Sequence, residues 1–181
     1  MGWALLTYNL PTGPSRHRVR VWRLLRKSGA VNFQQSLWVL PDQEEALKLF
    51  RDLAADIEGL GGQATVLRVV SLAQKDEGNI LRAFREARDL EFKEFIDKCH
   101  DFFAEIQKET SAGNFTFAEV EENEEELDKL KGWLEKVQRR DFSGSELREE
   151  AGRLLSQCES LLSEFCERAH AVENKARGDV Q

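Results

Sequence analysis

The chain has 181 residues, of which 41% are hydrophobic and 33% charged, and its formal net charge is −7. This composition is too apolar for a disordered chain and fits one ordinary domain or two small ones; no run of about 18 apolar residues occurs, so no membrane-spanning helix is expected. The three cysteines, Cys99, Cys158 and Cys166, are an odd number at spacings that form no disulfide framework, which points to free thiols in a reducing cytoplasm.

Taken in chain order, Trp3–Tyr8 reads as a strand from its aromatic and aliphatic content. The apolar N-terminus lacks the basic region and cleavage site of a signal peptide. Asn9–Gly13 breaks the strand, and Pro14 opens a helix that runs to about Ser28, with Gly29 as its stop. Ala30–Phe33 and Ser36–Leu40 read as two short strands. Asp42 with Glu45 reads as a capping box, followed by a helix with an apolar stripe at Leu47, Phe50, Leu53, Ala54 and Ile57. Gly59, Gly61 and Gly62 close it, and Ala64–Leu72 is the last strand. This βαββαβ order predicts a ferredoxin-like domain over residues 1–73. Leu37 and Val39 oppose Trp38 and Leu40, so this strand is apolar on both sides. The last strand reads the same way, with Val66 and Val70 against Leu67 and Val69. A sheet open on one face alternates apolar with polar. The second face therefore needs a cover, either a second copy, giving a homodimer, or the C-terminal helices.

Residues 74–181 predict three long helices. The first carries Leu81, Phe84, Phe92, Phe95, Ile96, Cys99, Phe102, Phe103 and Ile106. The other two each begin with a capping box inside a hydrophobic staple: Phe115, Thr116, Glu119 and Val120, then Phe142, Ser143, Glu146 and Leu147. Their apolar residues recur at heptad positions: Val120, Leu127, Leu130, Leu134 and Val137, then Leu147, Ala151, Leu154, Cys158, Leu161, Phe165 and Val172. The expected fold class is thus α+β, a ferredoxin-like domain followed by a three-helix antiparallel bundle. Asn174–Gln181 reads as a frayed end.

Charge divides at the same place. Residues 1–73 hold 9 Arg/Lys and 6 Asp/Glu, a net +3, whereas residues 74–181 hold 17 and 27, a net −10. Six Arg/Lys and one His fall between Arg16 and Lys27. Arg16, Arg20, Arg23 and Lys27 share one helix face at i, i+4, i+7 and i+11, with Val21, Trp22, Leu24 and Leu25 read as the buried side. Such a ridge suits phosphate oxygens. The alternative is a solvated face bridged to the acidic second half. Thr12, Ser15 and Arg16 at the helix start are a candidate anion site. The acidic run Glu121, Glu122, Glu124, Glu125, Glu126 and Asp128 reads as solvated, Cys166 with His170 as a buried cysteine rather than a metal site, and all four tryptophans as core. No Ser/His/Asp set, phosphate loop or zinc spacing appears, so neither an enzyme nor a metal or other cofactor is expected.

The string from Trp3 to Val31, with its Y-x-L-P and R-V-x-V-W-R-x-L elements, followed by S-L-W-V-L-P-D, resembles the N-terminal domain of the chromate-resistance ChrB family. Weaker similarity continues through Phe92–Phe95, F-A-E-V-E-E-N-E-E-E-L-D-K-L-K-G-W-L and R-R-D-F. The resemblance implies a cytoplasmic, DNA-binding, homodimeric regulator of chromate or other oxyanion resistance, lacking the second domain of longer members. In such a regulator the ridge Arg16, Arg20, Arg23 and Lys27 is expected to supply the phosphate contacts, with chromate or another oxyanion as a further ligand and no membrane partner. The alternative functions are a protein-interaction module or an oxyanion-binding protein. The first domain is also distantly similar to the small CRISPR-associated nucleases and PaaX-type repressors. Those nucleases end their first strand in Tyr-Asp with the Asp on a metal. Tyr8-Asn9 stands here, which argues against nuclease activity.

Overall fold

The structure, a computed structural model, describes residues 2–178. The elements are β1 (Trp3–Asn9), α1 (Ser15–Lys27), β2 (Val31–Gln34), β3 (Leu37–Pro41), α2 (Glu44–Gly59), β4 (Gln63–Val69), α3 (Gln74–Ala112), α4 (Phe117–Arg139) and α5 (Leu147–Gly178). The fold is therefore α+β, with one four-stranded antiparallel sheet and five helices. The chain divides into two compact units, Met1–Ala87 with Arg140–Ser143, and Arg88–Arg139 with Gly144–Gln181.

In the first unit the strand order is β2-β3-β1-β4. Strand β1 is central, with Leu5 opposite Val39 on one side and Leu67 on the other. Each sheet face has its own apolar cluster. Ala4, Leu6, Trp38 and Leu40 pack with Val21 and Leu25 of α1 and with Leu47, Phe50, Leu53 and Ile57 of α2. Trp3, Leu5, Val31 and Val39 pack with Ile80 and Phe84 from the first turns of α3. Trp3 stacks on Phe84 with ring centroids 5.8 Å apart, and Phe142 meets Phe84 edge-on at 6.0 Å. Burying each such side chain stabilises by about 1.5–3 kcal/mol. The second face is thus covered by the chain's own helix, and the argument for a homodimer that rested on an uncovered face falls away. It also explains why the packing division falls inside α3, at Ala87 and Arg88, and not at the shift in charge.

Three local expectations in this unit are corrected. Asp42 does not cap α2, whose N-cap is Gln43 with no side-chain cap bond. The Asp42 carboxylate instead accepts a 2.9 Å hydrogen bond from Arg68 Nε. A charge-assisted bond is stronger than one from a neutral amide, so the guanidinium wins the competition. Strand β4 ends at Val69, leaving Val70 83% exposed, and Leu67 is 46% exposed. As an edge strand, β4 is less enclosed than β1 and β3.

In the second unit, Phe92, Phe95, Cys99, Phe102 and Ile106 of α3, Leu127, Leu130, Leu134 and Val137 of α4, and Ala151, Cys158, Leu162 and Phe165 of α5 form one core. Leu162, not Leu161, is the buried residue of that turn, and Val172 is 48% exposed. The Thr116 hydroxyl accepts from the Glu119 amide at 3.3 Å, half of the expected capping box; the Glu119 carboxylate accepts from Asn114 instead. At α5 the cap moves two residues on. Ser145 Oγ accepts from the Leu147 amide at 3.2 Å and donates to Asp89, while Phe142 belongs to the sheet unit and makes no staple. Helix α5 continues through Asn174 to Gly178, against the expected fraying there; residues 179–181 lie outside the described residues. Among the described residues no helix is long and apolar enough to cross a membrane.

Candidate nucleic-acid interface

Helix α1 begins after Pro14, whose carbonyl accepts from the His17 amide at 3.2 Å. Its N-terminus has no side-chain cap and no acidic residue. Thr12, Ser15 and Arg16 are all exposed there, so the start of the helix is open. The other end is fixed. Gly29 takes φ +83°, and a Cβ at that position would stand 2.9 Å from Arg140 Cβ, so only glycine fits. Arg140 donates to the Lys27 carbonyl at 3.2 Å, placing a cation on the helix C-terminus.

The inward side of α1 is narrow. Only Val21 and Leu25 are buried, with Leu24 and His17 at the margins. Trp22 is 48% exposed and Val19 is 42% exposed, which corrects the placement of Trp22 in the core. Trp22 sits about 100° round the helix from Val21 and about 60° beyond Leu25, outside the narrow buried arc. Trp3 and Trp38 are buried, and Trp133 is partly buried against Phe95 at 5.7 Å.

The four predicted ridge cations do lie together on the exposed side, but they are not equivalent. Arg20 donates to Asp56 of α2 at 2.9 Å, so its charge is compensated. Arg16 reaches only its neighbour His17, and Arg23 and Lys27 form no ion pair among the described residues. Arg18, outside the predicted set, donates to the Pro11 carbonyl at 3.3 Å. Beside the ridge runs a second row, Val19, Trp22 and Arg26, in which the Arg26 guanidinium lies 5.8 Å from the Trp22 ring centroid. This row was missed by sequence reasoning. Its signal was the 19, 22, 26 spacing, masked because valine and tryptophan in a short helix read as core.

Tyr8, at the end of β1, is half-buried, and burial pushes its phenol up, so it stays protonated. Asn9 is exposed at the strand end. The acidic residues of α4 are solvated, and Lys129 pairs with Glu126 at 3.3 Å. Among the described residues no group of three His, Cys, Asp or Glu could hold a metal ion. Cys166 is half-buried and His170 exposed; both line an open cleft of about 700 Å³ with Phe115, Phe117 and Val120. Burial pushes the Cys166 thiol up. Cys99 and Cys158 are fully buried against each other; their mutual hydrogen bond pushes the Cys99 thiol down and, together with burial, the Cys158 thiol up.

The family described as "Protein ChrB, N-terminal" matches residues 18–176. The chain is also 25% identical over 122 residues to "Protein ChrB" of Cupriavidus metallidurans, an alignment covering 67% of this chain and 34% of that protein. The chain thus spans about a third of the length of this relative, and the family match takes in α1 from Arg18 together with all later elements. The chain belongs to the ChrB N-terminal family.

Proposed function

We propose that this chain is the DNA-binding part of a ChrB-type regulator of chromate or other oxyanion resistance, acting in the cytoplasm and not as an enzyme. The observation that carries the reading is α1, with six Arg/Lys and no acidic residue, on which Arg16, Arg23 and Lys27 stand exposed with no carboxylate partner among the described residues. A row of uncompensated cations on a rigid helix tracks a phosphate backbone. In this reading residues 1–73 are a ferredoxin-like domain, supported by the β2-β3-β1-β4 order and the packing of α1 and α2 on one face. Residues 74–181 are a three-helix antiparallel bundle that lends its first turns to the sheet.

Titration of mixed-sequence duplex DNA at several salt concentrations tests the reading. Binding should weaken linearly on a log–log plot, and each lost phosphate contact should reduce the slope by about 0.9. No binding at low salt would overturn it. Nuclease activity is not expected, because Asn9 replaces the metal-binding Asp of the related nucleases; Mg²⁺- or Mn²⁺-dependent cleavage by clean protein would count against this. A second reading, a protein-interaction module, has in its favour the apolar cleft of the second unit, where Phe117 is 80% exposed. An oxyanion site at Thr12, Ser15 and Arg16 is supported only by the open start of α1.

A further inference from the structure

We propose that the second exposed row of α1, Val19, Trp22 and Arg26, reads base edges in the major groove of duplex DNA. The inference rests on the DNA-binding reading above and divides the helix into positioning and reading residues. Helix α1 leaves two of its five apolar side chains, Val19 and Trp22, exposed while burying only Val21 and Leu25. Apolar surface of that kind, within a strongly charged face, marks a partner whose own surface is mixed. A phosphate backbone alone offers such residues nothing. The major groove offers both chemistries: thymine methyl groups for valine and indole, and the paired acceptors of guanine for a guanidinium.

Arg26 is prepared for that task. Its guanidinium lies 5.8 Å from the Trp22 centroid, so the two planes restrain each other before any ligand arrives. Arg16, Arg23 and Lys27 run beside this row and would hold one phosphate strand while the row faces the groove. A helix with its side chains is about 10–12 Å across, and the major groove is about 12 Å wide. The clamp of Arg140 on the Lys27 carbonyl and the tight contact at Gly29 keep the C-terminal end of the row fixed. A protein partner would also accept a tryptophan and an arginine. The thirteen residues of α1, with six cations and no carboxylate, favour a polyanion.

The test uses the full chain and a library of duplex DNA with a randomised core, selected first at about 50 mM salt and then at about 150 mM, where non-specific contacts weaken. Wild-type protein should enrich a motif containing guanine and thymine. On the enriched duplex, Arg26→Ala should lose its guanine preference, a change of about 5- to 150-fold at that base pair. Trp22→Ala should lower affinity for the enriched duplex, leave affinity for scrambled duplex within about twofold and leave the salt slope unchanged. Replacing thymine by deoxyuridine should weaken the wild type and not Trp22→Ala, a probe made on the DNA that needs no folding control. Binding without any enriched motif would overturn this inference and spare the DNA-binding reading. So would Trp22→Ala and Arg26→Ala enriching the wild-type motif, or a preference for oligothymidylate single strands, which would make Trp22 a stacking platform. Absence of binding to any duplex would remove the DNA-binding reading itself, and this proposal with it.

Discussion

Helices α1 and α4 are both strongly charged, yet they are built in opposite ways. Helix α4 buries Asn123, Leu127, Leu130, Leu134 and Val137, and its one large exposed apolar side chain is Phe117 at its first residue. Two of its exposed acids pair within the helix, Glu126 with Lys129 and Glu135 with Arg139, and Lys131 reaches Glu159 of α5. Helix α1 buries two residues and exposes Val19 and Trp22, and among the described residues only Arg20 of its six cations has a carboxylate partner. Charge density therefore does not separate a site from a solvated face. What separates them is whether the apolar residues are consumed by the fold.

The sharpest way to break the comparison is to remove one side chain from each helix. Leu130→Ala should destabilise the second unit by about 2–5 kcal/mol, because it empties a site that is 2% exposed. Trp22→Ala should cost the fold far less, since about half of the indole already faces water, although it removes the larger side chain. Urea unfolding monitored by circular dichroism measures both. A loss at Trp22 as large as that at Leu130 would return Trp22 to the core and dissolve the contrast.

Charge reversal comes next. Arg16→Glu combined with Arg23→Glu should leave the melting temperature nearly unchanged, as exposed substitutions do, within about 0.5 kcal/mol each. Affinity for duplex DNA should fall by more than tenfold, with the slope reduced by about 0.9 per lost contact. The mirror change on α4, Glu122→Arg with Glu125→Arg, should raise affinity only by long-range attraction, which ordinary salt screens. If the two double variants shift binding equally, net charge and not the ridge governs it.

Much of this was legible in the sequence, and the failures have a common cause. The sheet strands and the buried spacing of α4 were readable because periodicity of 2 and of 3.6 or 3.5 records which side is enclosed. The need for a second cover was readable from the paired apolar faces of β3, but not the identity of the cover: Ile80 and Phe84 are unremarkable residues until α3 is seen lying on Trp3 and Val39. Asp42, Ser143 and Phe142 were assigned to local caps and staples, and Asp42 and Phe142 were taken by distant partners, Arg68 and Phe84, while the cap of α5 passed to Ser145. Short motifs cannot show that competition. At the site, the arginine row was legible from spacing. The silencing of Arg20 by Asp56, 36 residues away, and the exposure of Trp22 depend on how α1 and α2 rest on the sheet.

The entry to α4 supplies a pH test that α1 should ignore. Glu109 is nearly buried and accepts from Asn114 at 2.6 Å and from Lys108 at 3.1 Å. The Asn114 bond, followed by the Lys108 bond, holds its carboxyl below the ordinary 4.5. A depressed carboxyl stabilises the fold above its unfolded value and loses that contribution as pH falls through its folded value. Glu109→Gln should therefore flatten the decline in unfolding midpoint below about pH 4.5, while the wild type keeps it. A variant with the wild-type acid profile would show that Glu109 is not responsible.

The smallest expected effect bears most directly on α1. Arg20 and Asp56 are 63% and 49% exposed, so their 2.9 Å pair should contribute only about 0–1 kcal/mol to stability. For a phosphate the pair matters in another way, because Asp56 both occupies the guanidinium and repels the anion. Asp56→Ala should free Arg20 and raise duplex affinity at low salt by a few-fold, with the slope steeper by about 0.9 as one more contact forms. Adding Arg20→Ala should cancel the gain, since the charge released by the first change is then gone. On α4, Glu126→Ala likewise frees Lys129 and should leave the salt slope where it was. A steeper slope from Asp56→Ala alone would extend the phosphate row from Arg16, Arg23 and Lys27 to Arg20. An unchanged slope would restrict the row to those three residues, and equal responses from the two helices would show that a freed cation anywhere on the chain suffices.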